Sequence, residues 1–477
     1  MYHWLHILVV LPNVPESIAM SQGISEFPMP LPDRAADMPP VSREDVLRAR
    51  DRRSVLDARA RKRAFRLLWL LAGPGVLVML GENDGPSMVS YATTGATYGI
   101  GFFVPFILLT FVMAFVVQEM TVRLGAVTHR GHAELIFQRF GPFWGYFAMA
   151  DLVVGNLLTL ITEFIAIQAG GLYFGVPAWL SVAIGAALIL ASLALRRYAT
   201  WERALMALAV FNLLFIPAAL FAHPSGAALA QAALTWRPIP GGVTVAFVTL
   251  CMANIGATVT PWMIFFQQSA VVDKGLTTAD IGEGRVDTAF GAILAAIAAI
   301  ATVAAAAPLF AHHVDVANFA SGADFATALR PYLGTTGATL FALGIIEAGL
   351  VAAMTISTSS AYALGETTHA RHSLNLDFSQ GKLFYGTVIV STIVAALVVL
   401  IPGAPLLALT LTVNVIATLL MAPALLFLLL LVNDREIMGA HANTWRANLA
   451  GGSIVGLIVV IGIFYGLLTV FPGLLGK

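Results

Sequence analysis

Two short stretches of this chain combine residues that could hold a cation. The first, LLWLLAGPGVLVMLGENDGPSMVSYATTGATYG, places Glu82, Asn83, Asp84, Gly85, Pro86 and Ser87 in the middle of an apolar run. Pro86 has no backbone N–H and disfavours helical geometry at Gly85, and Gly85 weakens a helix further, so carbonyls of the preceding turn lose their partners. Released carbonyl oxygens beside the Asp84 carboxylate have the chemistry of a cation site, with Asn83 and Ser87 as flanking support. The second stretch, VAFVTLCMANIGATVTPWMIFFQQSA, repeats the device with Gly256, Thr258, Thr260 and Pro261, and releases carbonyls around Ala257.

The elements that must position these residues are membrane helices. Of the 477 residues, 58% are hydrophobic and 11% charged, a balance no soluble domain of this length could cover. Eleven apolar stretches long enough to cross about 30 Å of hydrocarbon lie near residues 66–98, 101–122, 143–172, 177–195, 204–222, 243–269, 287–310, 338–365, 383–402, 405–432 and 451–472. Lys and Arg alternate with them. Eleven precede the first stretch and twelve fall in alternate loops, so that 23 of the 26 lie on one side and only Arg237, Arg330 and Lys477 on the other. This asymmetry predicts a cytoplasmic N-terminus and, after eleven crossings, a C-terminus outside.

Residues 1–65 are expected to be a cytoplasmic segment, largely disordered over 15–40, with an Arg-rich amphipathic helix over 41–66 lying near anionic headgroups. Residues 66–477 form the transmembrane domain. Cys251 is the only cysteine, which excludes an internal disulfide and a thiolate cluster, and it reads as packing.

Breaks in spans one and six point to two inverted five-helix repeats with substrate bound at the midplane between them. A charged side chain at the bilayer centre costs at least about 2.5 kcal/mol and normally marks an ion path, so Asp84 leads the candidates. In span three, Glu163 stands in an apolar stretch with Asp151, Asn156, Thr159, Thr162 and Gln168 around it. It reads as a supporting carboxylate or proton acceptor, or as a structural hydrogen-bond partner. Gln267 and Gln268 either line a hydrated path or join neighbouring helices. Asn414 is either a neutral acceptor beside the ion or a bond to another helix. Glu347 precedes the run TISTSSAYALGE, whose hydroxyls read as helix-packing contacts, and His312 and His313 read as an exposed loop.

From about Gly73 to the last span the chain resembles the Nramp family of divalent metal transporters. Its first span carries Asp-Pro-Gly-Asn, matched here by Asp84, Gly85, Pro86 and Ser87. Its sixth carries Ala-x-x-Met-Pro-His, matched by Ala257, Thr260, Pro261 and Trp262, so both Met and His are missing. The segments QEMTVRLGAVT, TEFIAI and TPWMIFFQQSAVVDKG are similar to a bacterial branch, the Nramp-related magnesium transporters. The resemblance implies a leucine-transporter-like fold in the bacterial cytoplasmic membrane, with Asp84 and the Ala257 carbonyl as metal ligands and Thr260 in place of the thioether.

A thioether favours softer transition metals, whereas an oxygen-lined site suits Mg²⁺. Trp262 at the family's histidine position and Leu160, one turn before Glu163 where the family has an acid, leave little of a proton relay. The expectation is therefore import of Mg²⁺, and also Mn²⁺, without strong proton coupling. The alternative is a proton-coupled Mn²⁺ or Fe²⁺ importer. An enzyme, a nucleic-acid partner, a cofactor other than the transported ion and an obligate protein partner are not indicated, while lipid surrounds the domain. A sodium-coupled amino acid carrier of the same fold is disfavoured because Asp84 repels a substrate carboxylate.

Overall fold

A computed structural model describes residues 43–316, 319, 321–403 and 405–471, and every regular element among them is helical. The segment expected to be largely disordered, 15–40, lies outside them. Span one is Pro74–Glu82 followed by Gly85–Tyr98, and span six is Val245–Gly256 followed by Pro261–Lys274. The other spans are two (Phe103–Thr128), three (Pro142–Tyr173), four (Ala178–Leu195), five (Tyr198–Leu220), seven (Ile281–Ala311), eight (Gly322–Thr367), nine (Lys382–Val399), ten (Leu406–Asn433) and eleven (Trp445–Val470). Within Gly322–Thr367 the helix is interrupted at Gly334, whose φ of 68° is open to a residue without Cβ.

Burial separates an inner set from a lipid-facing set. The apolar window of span six is 89% enclosed by protein, whereas that of span eleven is 17% enclosed, so span six needs its hydrogen-bonding groups satisfied by neighbours and span eleven meets lipid. Span eight packs along span three, and span seven lies against both halves of span one. Proline starts several helices: Pro74, Pro142 and Pro261 each open a segment, where a missing N–H costs nothing.

Two features mark the end of the molecule where Lys and Arg gather. The apolar stretch that begins near residue 66 bends before its central break. A bend of 54° separates Ala64–Leu71 from Pro74–Glu82. Tertiary bonds cause it: the Asp287 carboxylate accepts from the Gly73 and Gly75 N–H groups at 3.0 and 2.6 Å, and Lys274 donates to the Ala72 carbonyl at 2.6 Å. Gly73 has φ 148°, and a Cβ there would meet the Glu202 carboxylate at 2.2 Å.

The second is helix Arg43–Ala60, within the segment read as an amphipathic helix near anionic headgroups, three of whose arginines turn onto carboxylates of the protein. Arg48 bonds Asp273 at 2.8 Å, Arg52 bonds Asp280 at 2.5 Å, and Arg59 bonds Glu283 at 2.7 Å. Asp51 in turn accepts from Arg197 at 2.5 Å. The helix is a strap across the ends of spans four, six and seven.

Candidate functional site

Both predicted breaks are present, and they face each other. Pro74–Glu82 ends at Glu82. Asp84, with extended backbone, then caps Gly85–Tyr98, its Oδ1 accepting from the Ser87 N–H at 2.8 Å. Such a cap satisfies one orphan donor and sets the carboxylate at the positive end of the helix. In span six the last turn tightens, with the Thr258 and Val259 N–H groups both reaching the Ile255 carbonyl, and Thr260 stands in extended backbone before Pro261.

The two breaks are joined by a bond between side chains. The Thr260 hydroxyl donates to Glu82 Oε2 at 2.8 Å. The second oxygen of Glu82, Oε1, is buried and has no hydrogen-bond partner. Glu163 reaches from span three to accept from the Gly85 N–H at 3.0 Å, which places its carboxyl group beside that of Asp84. The Ser87 hydroxyl is buried and has no hydrogen-bond partner. Glu82, Ser87 and Glu163 are 0% exposed, Asp84 1% and Thr260 2%. Among the described residues no Lys, Arg or His makes an ion pair with any of these three acids.

Close packing fixes the two breaks. A Cβ on Gly85 would meet Ala166 Cβ at 2.1 Å, and one on Gly256 would meet the Asn414 carbonyl oxygen at 1.9 Å. Glycine is therefore required at each for the approach of spans three and ten.

Several expected site residues are placed differently. Asn83 turns away from the breaks: its amide donates to Asn212 Oδ1 at 3.1 Å and to the Ala295 carbonyl at 2.8 Å, and its own carbonyl accepts from Asn212 at 2.9 Å. It latches span one to spans five and seven. The Ala257 carbonyl is not free, because Tyr91 donates its hydroxyl to it at 2.8 Å. Asn414 donates to Ser90 at 2.9 Å, one turn along from Ser87. Gln268 joins His132 and the Arg130 carbonyl at the basic end, and Gln267 donates to Thr288 of span seven. These glutamines connect helices. Trp262 is fully buried with its ring against Gly81, and its indole N–H has no partner.

The remaining polar residues pack helices. Asn156 donates to Ser360 and to the Ile356 carbonyl, and the hydroxyls of 355–360 bond to main-chain carbonyls. His312 stacks on Tyr332 in an exposed position. No group of three or more His, Cys, Asp or Glu side chains among the described residues is placed to hold a metal ion by itself. Any ion at the breaks would therefore complete its shell with hydroxyl, main-chain or water oxygens.

Sequence reasoning passed over Glu82 as a ligand and Tyr91 altogether. Tyr91 follows Asp84 by seven residues, the spacing of one helix face, and that signal was available. The direction of Glu82 was not, because a residue at a helix end has no periodic partner to fix its face.

Access to the breaks is unequal at the two ends. A cavity of about 1100 Å³ lies at the end opposite the arginine-rich loops, bounded by Thr93, Thr97, Thr249, Leu250, Val316 and Leu411. Between it and the acids stand the Tyr91 contact with Ala257, the Asn254 amide on Thr94 at 2.7 Å, and the Asn414 contact with Ser90. At the basic end the bend at Gly73, the Lys274 to Glu202 pair at 2.7 Å and the strap border two smaller cavities, of about 280 and 230 Å³.

A family model described as "Natural resistance-associated macrophage protein-like" matches residues 75–468. Among curated proteins, a "Divalent metal cation transporter MntH" of Aeromonas hydrophila is 26% identical over 408 residues, covering 83% of this chain and 95% of the relative. A protein of the same name from Yersinia pestis is 27% identical over 405 residues, covering 82% and 93%. Among solved structures, an Eremococcus coleocola manganese transporter in complex with an aromatic bis-isothiourea compound superposes with a TM-score of 0.68 at 19% identity, covering 87% of this chain and 89% of that one. MhsT in complex with L-phenylalanine superposes with a TM-score of 0.56 at 14% identity, over 83% and 97%. The fold is the leucine-transporter-like arrangement that paired breaks in spans one and six require, and with the family model matching most of its length the chain belongs to the Nramp family of transporters.

Proposed function

We propose that this protein imports a divalent metal ion, Mg²⁺ by preference and Mn²⁺ as well, with Asp84 and Thr260 as ligands. The observation that carries the reading is the set of buried acids at the breaks, Glu82, Asp84 and Glu163, with no basic side chain among the described residues paired to them. Uncompensated buried charge is costly, and a cation is the natural counter-charge. Thr260 replaces a sulfur ligand with a hydroxyl, so the side chains at the breaks offer oxygen alone, which suits ions that dehydrate reluctantly and keep waters. The Ala257 carbonyl has two lone pairs and can serve while accepting from Tyr91.

In this reading the basic end faces the cytoplasm of a bacterium, the 1100 Å³ cavity admits the ion from outside, and Ser87, Asn414 and Ser90 lie along its approach. Uptake is driven by the metal gradient and the inside-negative potential, worth about 2.3 kcal/mol per charge per 100 mV. A second reading, proton-coupled Mn²⁺ import, is favoured by the relatives' names and by Glu163, a carboxyl group held against Asp84.

Flux into proteoliposomes tests both. Asp84→Ala should abolish Mg²⁺ and Mn²⁺ entry while the protein elutes as wild type, and normal flux would remove the site. Millimolar Mg²⁺ should suppress Mn²⁺ entry. Failure to do so, or acidification of the lumen on adding metal, would favour the second reading.

A further inference from the structure

The family motif begins at Asp84, and the residue two positions before it is a second acid that the motif does not include. We propose that Glu82 is itself a metal ligand, so that the ion is held by two carboxylates, one on each side of the break in span one. The proposal rests on the reading of Asp84 and Thr260 as the ion's site.

Three observations converge on it. Glu82 is the last residue of Pro74–Glu82, fully enclosed, and its Oε2 already reaches across to Thr260 of the other break. The side chain thus spans the gap in which the ion is placed. Its Oε1 has no donor within reach, although a buried carboxylate oxygen without one is expensive. Main-chain N–H groups satisfy other buried carboxylates in this protein, Asp287 by Gly73 and Gly75 and Glu366 by Ala133. Among the described residues Glu82 is the one acid at the breaks that accepts from no main-chain N–H, whereas Asp84 has Ser87, and Glu163, whose own Oε1 also lacks a partner, has Gly85 on Oε2. Oε1 is thus an open ligand position for a cation, and without one the carboxyl must carry a proton instead.

The bond to Thr260 adds a positioning effect. Because the hydroxyl hydrogen points at Glu82, both lone pairs of Thr260 Oγ1 are turned elsewhere, and a hydroxyl can ligate a metal only through them. Glu82 therefore contributes one oxygen directly and orients a second. Two carboxylates also match the charge of a dication, which a single carboxylate does not.

The test is titration of the purified full-length protein with MgCl₂ and MnCl₂ by calorimetry. Glu82→Gln, which keeps the shape and removes the charge, should weaken both metals tenfold or more. The Glu82→Gln, Thr260→Ala double variant should bind more weakly than Thr260→Ala alone, since the Oε1 contact does not pass through Thr260. Wild-type affinity in Glu82→Gln, together with loss of binding in Asp84→Asn, would overturn the assignment of Glu82 and leave the Asp84 site standing. Wild-type affinity in both would overturn the two together. Should Glu82→Gln aggregate, Glu82→Asp keeps the charge on a shorter arm. Oxygen ligands lie at 2.0–2.1 Å around Mg²⁺ and 2.3–2.6 Å around Ca²⁺, so a widened cage should raise the Ca²⁺ to Mg²⁺ affinity ratio at least threefold. An unchanged ratio would count against Glu82 as a ligand.

Discussion

At the scale of residues, the proposed selectivity rests on one substitution relative to the family motif. Thr260 stands where the Nramp pattern has methionine, and its hydroxyl is committed to Glu82. Thr260→Met would install a thioether, break that bond and leave Glu82 Oε2 without its donor. The expected result is a severalfold rise in affinity for Mn²⁺ and Cd²⁺ relative to Mg²⁺, read by calorimetry. An unchanged ratio would mean that selectivity is set elsewhere. Trp262, at the motif's histidine position, buries an indole whose N–H can donate a hydrogen bond but neither release nor take up a proton, and Leu160 is equally unable to relay one.

At the scale of elements, the breaks depend on glycine as much as on proline. Pro86 and Pro261 stop the hydrogen-bond ladder, but Gly85 and Gly256 allow spans three and ten to approach the broken backbone. Gly256→Ala would drive a methyl group to 1.9 Å from the Asn414 carbonyl oxygen, which as backbone of a packed helix cannot swing aside. Overpacking of this kind costs about 1–3 kcal/mol. A lower thermal midpoint and reduced metal flux are expected, and a variant as stable and active as wild type would show that span ten is free to move away. The long apolar spans were legible in the sequence because composition alone demands them: predicted 143–172 is Pro142–Tyr173, and predicted 405–432 is Leu406–Asn433. Span seven was drawn short, starting at 287, because its first turns carry Glu283, Arg285 and Asp287, whose burial or pairing no hydropathy window registers.

At the scale of the whole molecule, the two ends are held by different means. A layer of neutral hydrogen bonds separates the acids from the large cavity, while ion pairs and the strap lie across the basic end. Partly exposed ion pairs contribute about 0–1 kcal/mol each and weaken with salt. Arg52→Glu would replace the Arg52 to Asp280 pair with two like charges, and trypsin should then cut within Arg43–Ala60 severalfold faster. High NaCl should move wild type in the same direction. Cutting rates indifferent to both would show that apolar contacts hold the strap.

Composition, the approximate span count and the two interruptions were determined by the sequence itself, because a bilayer tolerates so few arrangements that hydropathy and proline are nearly sufficient. The direction of each polar side chain was decided by the tertiary structure. Asn83 and Asp84 are neighbours in the chain, yet one latches spans five and seven and the other faces the break. Glu82 and Thr260 are 178 residues apart and meet. Where a helix ends, its period no longer assigns a face, and the partner is whatever the opposing element brings within about 3 Å.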